Sequence, residues 1–353
     1  MFSQLQKTLI VSFLLIAFLL TGCSTNTGTE TPASGGEVKL ILAAYTTPRE
    51  AYRELIPIFQ KQWKDKTGQT VTVEESYQGS GAQSRAVAEG FEADIVALSL
   101  EADVIRLEDA GLITHDWRGE SFGGIVSTSV VAFAVREGNP KSIQDWADLT
   151  QAEIEVLTPN PKTSGGAMWN ILGLYGAAQR GHVEGFTADD AGAQDFLLDV
   201  LQNVTVMDKS ARDSIVTFEK GIGDVAITYE NEVLVGRQAG QTYELVLPSS
   251  TIQIDNPIAI VDTYVDKHSN REVAEAFVEF LFTPEAQQIF AKHGLRSPDP
   301  EVAEVTAEQY PPIEDLFAIS DFGGWKEATP KFFGDTGIFY QVLGEVQGIQ
   351  VAE

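Results

Sequence analysis

Short apolar runs alternate with longer amphipathic segments from residue 38 onward, which predicts strands alternating with helices. Residues 38–45 (VKLILAAY) have the composition of a buried strand. Residues 48–68 place apolar side chains at helical spacing and end in a glycine, as amphipathic helices do. Two further strand and helix pairs follow up to residue 111. This order predicts a mainly parallel sheet with helices on both faces.

A second series of strands and helices begins near residue 130, and extended runs at 127–140 and 252–262 frame it. Two such units joined by two β-like crossovers predict a bilobed α/β protein with a hinge and a cleft between the lobes. The first lobe is expected to be discontinuous. The predicted division assigns residues 37–130 and 255–353 to lobe 1 and residues 131–254 to lobe 2.

The N-terminus has the pattern of a targeting segment. Residues 9–20 are too short an apolar run to span a bilayer but suit the core of a secretory signal. The following Leu-Thr-Gly-Cys, ending at Cys23, resembles the lipobox of bacterial lipoproteins. We therefore predict a signal peptide at 1–22 and a lipidated Cys23, followed by a flexible tether that completes the segment 23–36. The alternative is a plain signal peptide with a coincidental cysteine.

Composition narrows the possible functions. The 353 residues include 51 acidic and 24 basic side chains, a net charge of −27, which disfavours nucleic acid and a broadly basic membrane face. Because Cys23 is the only cysteine, the mature domain has no disulfide, cysteine-based metal site or catalytic thiol. The four histidines form no HExxH pattern. We expect no metal, no cofactor and a monomeric chain.

Four turns between a predicted strand and the next helix carry hydroxyls and small residues, at 44–48, 76–82, 163–166 and 208–212. Ligands of open α/β sheets bind at such carboxyl ends of strands. Free N–H groups at a helix start bind anions, and glycine lets the backbone approach them closely. Helix capping explains any single turn of this kind. Four together favour an anion pocket that is rich in donors and needs no formal positive charge.

An enzymatic alternative is an extracytoplasmic hydrolase that uses Ser80 or Ser164 as its nucleophile. Neither serine lies in a G-x-S-x-G turn, and the chain has no phosphate-binding P-loop. A hydrolase would also need a histidine within reach of one of these hydroxyls. The sequence therefore favours a protein that is not an enzyme.

Several stretches resemble the sulfate-binding proteins of bacterial ABC importers, a family that includes the thiosulfate-binding proteins. The likeness extends over nearly the whole mature chain. The matching blocks are TPNPKTSGGA with Trp169 at 158–169, GSG with Gln83 at 79–83, GIGDV at 221–225, ENE at 230–232 and FGGW at 322–325.

This resemblance implies a bilobed periplasmic-binding-protein fold of type II, which closes by a hinge around a dehydrated oxyanion. It implies hydroxyl donation by Ser80 and Ser164. It also implies backbone N–H donation by four residues, namely Thr46, Gly165, Gly166 and Ala211. Tyr229 stands where the family commonly has a tryptophan donor, and Met168 where it usually has arginine.

The function expected from the resemblance is extracytoplasmic capture of sulfate or thiosulfate and delivery to ABC permease subunits, with Cys23 anchoring the protein to the membrane. Other tetrahedral oxyanions, molybdate or phosphate, remain alternatives within the same class. The anchor would hold the protein in the periplasm or at the cell surface.

Overall fold

The computed structural model describes residues 36–348; the predicted signal peptide, Cys23 and all of the tether but Gly36 lie outside this range. The strands are β1 (Glu37–Tyr45), β2 (Thr70–Gln78), β3 (Ile95–Ala97), β4 (Ile125–Val135), β5 (Val156–Pro159), β6 (Val204–Asp208), β7 (Val225–Tyr229), β8 (Glu244–Val246), β9 (Ser250–Ile260) and β10 (Asp315–Phe317). The helices are α1 (Arg49–Thr67), α2 (Ser80–Ala88), α3 (Glu101–Asp109), α4 (Gly165–Gln179), α5 (Asp190–Gln202), α6 (Ala211–Glu219), α7 (Glu230–Gln238), α8 (Asp262–His268), α9 (Arg271–Leu281), α10 (Pro284–Lys292), α11 (Pro300–Thr306), α12 (Trp325–Phe333) and α13 (Ile338–Val346).

The sheet consists of two half-sheets joined by two long strands. Its strand order is β2-β1-β3-β9-β4-β7-β5-β6, with β10 added beside β9 and β8 beside β4. β1 runs parallel to β2 and β3, which form the first half-sheet, and β5 runs parallel to β6 and β7, which form the second. β4 and β9 pair with each other and with one half-sheet each, always antiparallel. The predicted α/β architecture with two extended crossovers is confirmed.

Helices cover both faces of the first half-sheet. Neighbouring residues on β1 belong to different apolar clusters, Leu42 with α1, α9 and α10, and Ala43 with α3 and α8, because successive strand side chains point to opposite faces. The predicted apolar stripe of α1 is buried against the first of these clusters, and the helix ends at Gly68 in the left-handed region, φ 76°. The buried stripe consists of Tyr52, Leu55, Phe59 and Trp63.

The core of the second half-sheet is built around α4. Every residue of this helix from Gly165 to Ala178 is buried, because its apolar residues surround it on all sides and need cover on all sides. β4 and β7 support one side through Val131 and Ile227, and α5 packs on another. This packing fixes the start of α4 at the carboxyl end of β5.

The C-terminal helices depart from the predicted division of the chain. Trp325 of α12 packs on Trp169 of α4 with ring centroids 4.7 Å apart, and Phe332 packs on Tyr175 at 4.9 Å. Their apolar residues belong to the cluster around α4, so residues 325–346 pack mainly on the second core, while α12 also contacts α3 of the first lobe. The physical reason is that α4 would otherwise expose an apolar face. The sequence analysis also did not predict α5, α7, α8, α11 and β10.

Within residues 36–348, no helix combines the length and apolar character needed to cross a membrane.

Candidate functional site

Ser99, in the turn after β3, connects several of the residues expected to bind a ligand. Its backbone N–H donates to the Ser80 hydroxyl at 2.9 Å, and its own hydroxyl lies 2.5 Å from that of Tyr229. A methyl group added to Gly165 would lie 2.7 Å from Ser99 Oγ. The starts of α2 and α4 and the end of β7 therefore meet at one point.

Tyr229 extends this group of residues to the start of α6. A methyl group added to Gly166 would lie 2.7 Å from Tyr229 Cε2 and 3.3 Å from Ala211 Cβ. Tyr229 and Ala211 are 1% and 3% exposed, so the point where they meet is shielded from solvent. We call the residues that meet here the Ser99 cluster; it comprises Ser80, Ser99, Gly165, Gly166, Ala211 and Tyr229.

Ser164 precedes this cluster and does not act as an ordinary helix cap. It occupies the N-cap position of α4 with extended backbone, yet its side chain makes no capping hydrogen bond, although the residue is only 3% exposed. Ser210, at the same position before α6, accepts from the Asp213 N–H at 3.1 Å. Capping thus explains Ser210 and leaves the Ser164 hydroxyl available.

Thr46 lies at the edge of the site. It is half-buried in the turn between β1 and α1, beside Tyr45, whose ring centroid lies 6.1 Å from that of Tyr229. Thr46 thus directly follows Tyr45, a residue whose ring lies near that of Tyr229 in the Ser99 cluster.

A buried carboxylate that the sequence analysis did not identify adjoins Ser80. The Ser80 hydroxyl donates to Asp103 Oδ2 at 2.6 Å, and Asp103 Oδ1 accepts from Arg106 at 2.7 Å. The proton of the Ser80 hydroxyl is therefore committed to Asp103 in this arrangement. Because both Asp103 oxygens have partners, this carboxylate is not a free acceptor at the site.

Ser99 was also missed, although the sequence carried a signal for it. It lies between the end of β3 at Ala97 and the start of α3 at Glu101, so it occupies the same kind of turn between strand and helix as the four turns selected. The Trp169 indole donates to its carbonyl at 2.8 Å. Examining every such turn would have found it.

The Tyr229 phenol stays protonated at physiological pH. Burial raises its pKa well above its ordinary value, and the hydrogen bond with Ser99 only partly opposes this effect. A neutral phenol carries one proton to donate, either to Ser99 or to an anion. The side chain can thus supply the donor that the resemblance leads us to expect from an indole at this position, over a different reach.

Contacts across the site hold the two half-sheets together. The Ala82 N–H at the start of α2 donates to the Thr163 carbonyl at 3.1 Å. Arg212 of α6 pairs with Glu50 of α1 at 2.8 Å and with Glu232 of α7 at 2.6 Å. Burial raises the pKa of Glu50, but the Arg212 guanidinium outweighs it and holds the pKa below its ordinary value. The site is thus closed off by specific polar contacts.

The histidines do not support a serine nucleophile. None of the four hydrogen-bonds Ser80 or Ser164 in the described range; each instead has a carboxylate partner. The pairs are His115 with Asp262 at 2.7 Å, His182 with Asp315 at 3.4 Å, His268 with Asp94 at 2.7 Å and His293 with Glu54 at 2.9 Å. Residues 36–348 also contain no group of three or more histidine, cysteine or acidic side chains arranged to hold a metal ion.

Helix starts that meet between two half-sheets are typical of proteins that bind small solutes in a cleft. A family model described as bacterial extracellular solute-binding protein matches residues 40–296. The sulfate-binding protein SubI from Mycobacterium tuberculosis has a similar structure: TM-score 0.77 and 38% identity, covering 84% of this chain and 99% of that chain.

Two similar sequences cover most of the chain. The sulfate-binding protein of Synechococcus elongatus is 44% identical over 98% of this chain and 97% of that protein. The thiosulfate-binding protein of Escherichia coli is 35% identical over 86% and 91%. The chain belongs to the bacterial extracellular solute-binding proteins, in the group of the sulfate- and thiosulfate-binding proteins.

Proposed function

We propose that the chain is the solute-binding component of a bacterial ABC importer and holds a sulfate or thiosulfate ion at the Ser99 cluster. The relatives named sulfate-binding and thiosulfate-binding support this function. The single observation that carries it is the convergence of three helix starts on one shielded point, with Ser164 free of any capping bond.

The donors of the site suit an ion that only accepts hydrogen bonds. The first N–H groups of α4 and α6 have no partner within their own helices and carry the positive end of the helix dipole. Sulfate is fully deprotonated near neutral pH, whereas phosphate keeps a proton and needs an acceptor. The one carboxylate beside Ser80, Asp103, is already paired with Arg106, which favours sulfate over phosphate.

We assign donor roles to the seven residues expected from the sequence. Ser164 offers its hydroxyl and Tyr229 its phenol. Ser80 donates its hydroxyl only if the bond to Asp103 opens. The backbone N–H groups of the remaining four, Thr46, Gly165, Gly166 and Ala211, complete the set. Several charge-assisted bonds of about 1.5–3 kcal/mol each would offset desolvation of the ion and leave micromolar or tighter binding.

Closure follows from the way the half-sheets are joined. β4 and β9 are the strands that connect them, and small backbone changes in both would open the site by a hinge motion. We propose the predicted lobes as the moving bodies, with residues 325–346 moving with lobe 2 because they pack on α4.

Calorimetry with sulfate, thiosulfate, molybdate and phosphate at pH 7.5 tests this function. We expect dissociation constants in the micromolar range or below for sulfate or thiosulfate, and much weaker binding of phosphate. Tight phosphate binding without sulfate binding would refute the proposal. A Gly166→Ala variant serves as the control, because binding that it retains with the wild-type affinity does not come from this site.

We also propose that Cys23 is lipidated after removal of residues 1–22, so that the protein is held outside the cytoplasm and delivers its ion to permease subunits. The lone cysteine in a lipobox-like sequence supports this proposal. Radiolabelled palmitate should enter the wild-type protein and not a Cys23→Ala variant. Equal labelling of both would show that no anchor forms there.

A further inference from the structure

We propose that a second cavity, next to the Ser99 cluster but separate from it, binds an organic anion with two or more negative charges. It has a volume of about 620 Å³. Arg85 of α2 and Arg106 of α3 line one side, and Lys162 and Met168 line the other with Tyr340 of α13. None of the seven residues assigned to sulfate lines it. Thr163 also lines the cavity; its carbonyl accepts from the Ala82 N–H of α2, and it directly precedes Ser164.

The charge of this cavity opposes that of the whole chain. Three cationic side chains and one acidic one, Asp335, line it, in a protein of net charge −27. Within the described residues, neither Arg85 nor Lys162 forms a salt bridge, whereas Arg106 is paired with Asp103 at 2.7 Å and remains 38% exposed. A local excess of positive charge is therefore left for a ligand to neutralise.

The cations face a common space. The Lys162 ammonium lies over the Tyr340 ring, 5.2 Å from its centroid. Burial and then Asp335 raise the pKa of the Tyr340 hydroxyl, while Arg85 opposes them, so the Arg85 charge acts on Tyr340 from across the cavity. An anion between Arg85 and Lys162 would contact both α2, which lies on the first half-sheet, and the turn that leads into α4.

Size and lining indicate the class of ligand. Small-molecule sites measure about 300–1,000 Å³, and this cavity falls within that range, well beyond what one tetrahedral oxyanion fills. Met168, Phe333 and Tyr340 add apolar surface that suits a carbon skeleton. The combination fits a compact organic molecule that carries several carboxylate or phosphate groups.

Occupation of this cavity is coupled to closure of the first site. Its arginines come from helices on the first half-sheet, and Lys162 lies three residues before the start of α4. A ligand that bridges them favours the closed arrangement, and by linkage an ion bound at the Ser99 cluster strengthens its binding. Only this coupling rests on the proposed function.

Citrate is a suitable probe, with calorimetry as the measurement. The wild-type protein should bind it with an affinity that falls as sodium chloride is added, and more tightly when sulfate is saturating. An Arg85→Gln/Lys162→Gln variant should bind citrate at least tenfold more weakly, with its sulfate affinity in citrate-free buffer within about twofold of wild type.

The matched control is Lys64→Gln/Lys66→Gln, which removes the same charge from the exposed end of α1. The proposal is overturned if citrate fails to bind, if the cavity variant binds it like wild type, or if both variants weaken it equally. If the wild-type protein does not bind sulfate but binds citrate, and the cavity variant alone binds citrate weakly, the proposed function and the coupling are refuted and the citrate site stands.

Discussion

The Ser80 hydroxyl donates to Asp103 at 2.6 Å, while the Ser99 N–H donates to the same hydroxyl at 2.9 Å. Ser80 thus has its proton and one lone pair occupied by the protein itself. Ser164 is also a serine before or at the start of a helix and is as deeply buried as Ser80, but its side chain makes no capping hydrogen bond. The two serines that the sequence treats alike have different roles in the folded chain.

Alanine substitutions at three serines should separate these roles. Ser80→Ala leaves the Ser99 N–H and Asp103 Oδ2 without their partner, while Arg106 still pairs with Asp103 Oδ1, and should cost about 1–3 kcal/mol in the free energy of unfolding. Ser164→Ala should leave stability nearly unchanged and weaken sulfate binding by tenfold or more. Denaturant unfolding and calorimetry on the same samples measure both.

Ser210→Ala is the control for this series, because Ser210 caps α6 in the ordinary way. It should cost about 1 kcal/mol of stability and leave the affinity unchanged. A Ser164→Ala variant that loses stability and keeps its affinity would contradict the donor role of that hydroxyl.

Tyr229→Phe removes the phenol that lies 2.5 Å from the Ser99 hydroxyl. We expect a stability loss of about 1 kcal/mol, from the lost buried hydrogen bond, and a sulfate affinity at least tenfold lower. Thermal unfolding and calorimetry test these two effects. The matched control is Tyr264→Phe, which removes a buried hydroxyl that donates to the Val87 carbonyl at 3.3 Å outside the Ser99 cluster. Equal affinities of Tyr229→Phe and wild type would exclude the phenol as a donor.

Gly166→Ala should abolish tight binding because the new methyl group would lie 2.7 Å from Tyr229 and 3.3 Å from Ala211. We expect at least a tenfold loss of affinity, measured by calorimetry. Gly173→Ala on the same helix meets nothing closer than 3.3 Å, at Ile252, and leaves the start of α4 intact. This control should bind like wild type; if it loses affinity to the same extent, the Gly166 effect is not local.

Asp315 predicts a pH dependence of stability. Its ion pair with Arg180 is the main reason that its pKa falls from 3.8 to about 2. A carboxylate whose folded pKa is depressed stabilises the fold above its unfolded pKa, and that stabilisation is lost as the pH falls through the folded value. Asp315→Asn should therefore cost about 1–2 kcal/mol at pH 7.

The difference between Asp315→Asn and wild type should shrink as the pH falls from about 4 toward 2, in urea unfolding curves recorded across that range. Asp65→Asn removes an exposed pair with Lys61 and should change stability by less than about 1 kcal/mol at any pH. A cost for Asp315→Asn that persists below pH 2 would show that the charge is not its source.

The sequence by itself determined the local elements and the class. The spacing of the apolar residues predicted the long strands and most helices. It does so because a helix buried on one face, such as α1, and a buried strand, such as β1, each leave a recognisable pattern of apolar residues in the sequence. The glycines and hydroxyls after the strands marked the turns at which ligands bind. The long match to known binding proteins agrees with motifs that were visible in the chain.

Only the tertiary structure decided which turns meet and what each side chain does there. Asp103 and Ser80 are 23 positions apart in the sequence, and Ser99 and Tyr229 are 130 apart. No local sequence pattern therefore predicts that either pair is in contact. The C-terminal helices pack on the second core because α4 is apolar on all sides and has to be covered on all sides. Which segment of the chain supplies that cover is decided only when the chain is folded. Hydrogen-bond partners and helix partners depend on distances in space, which the order of residues does not specify.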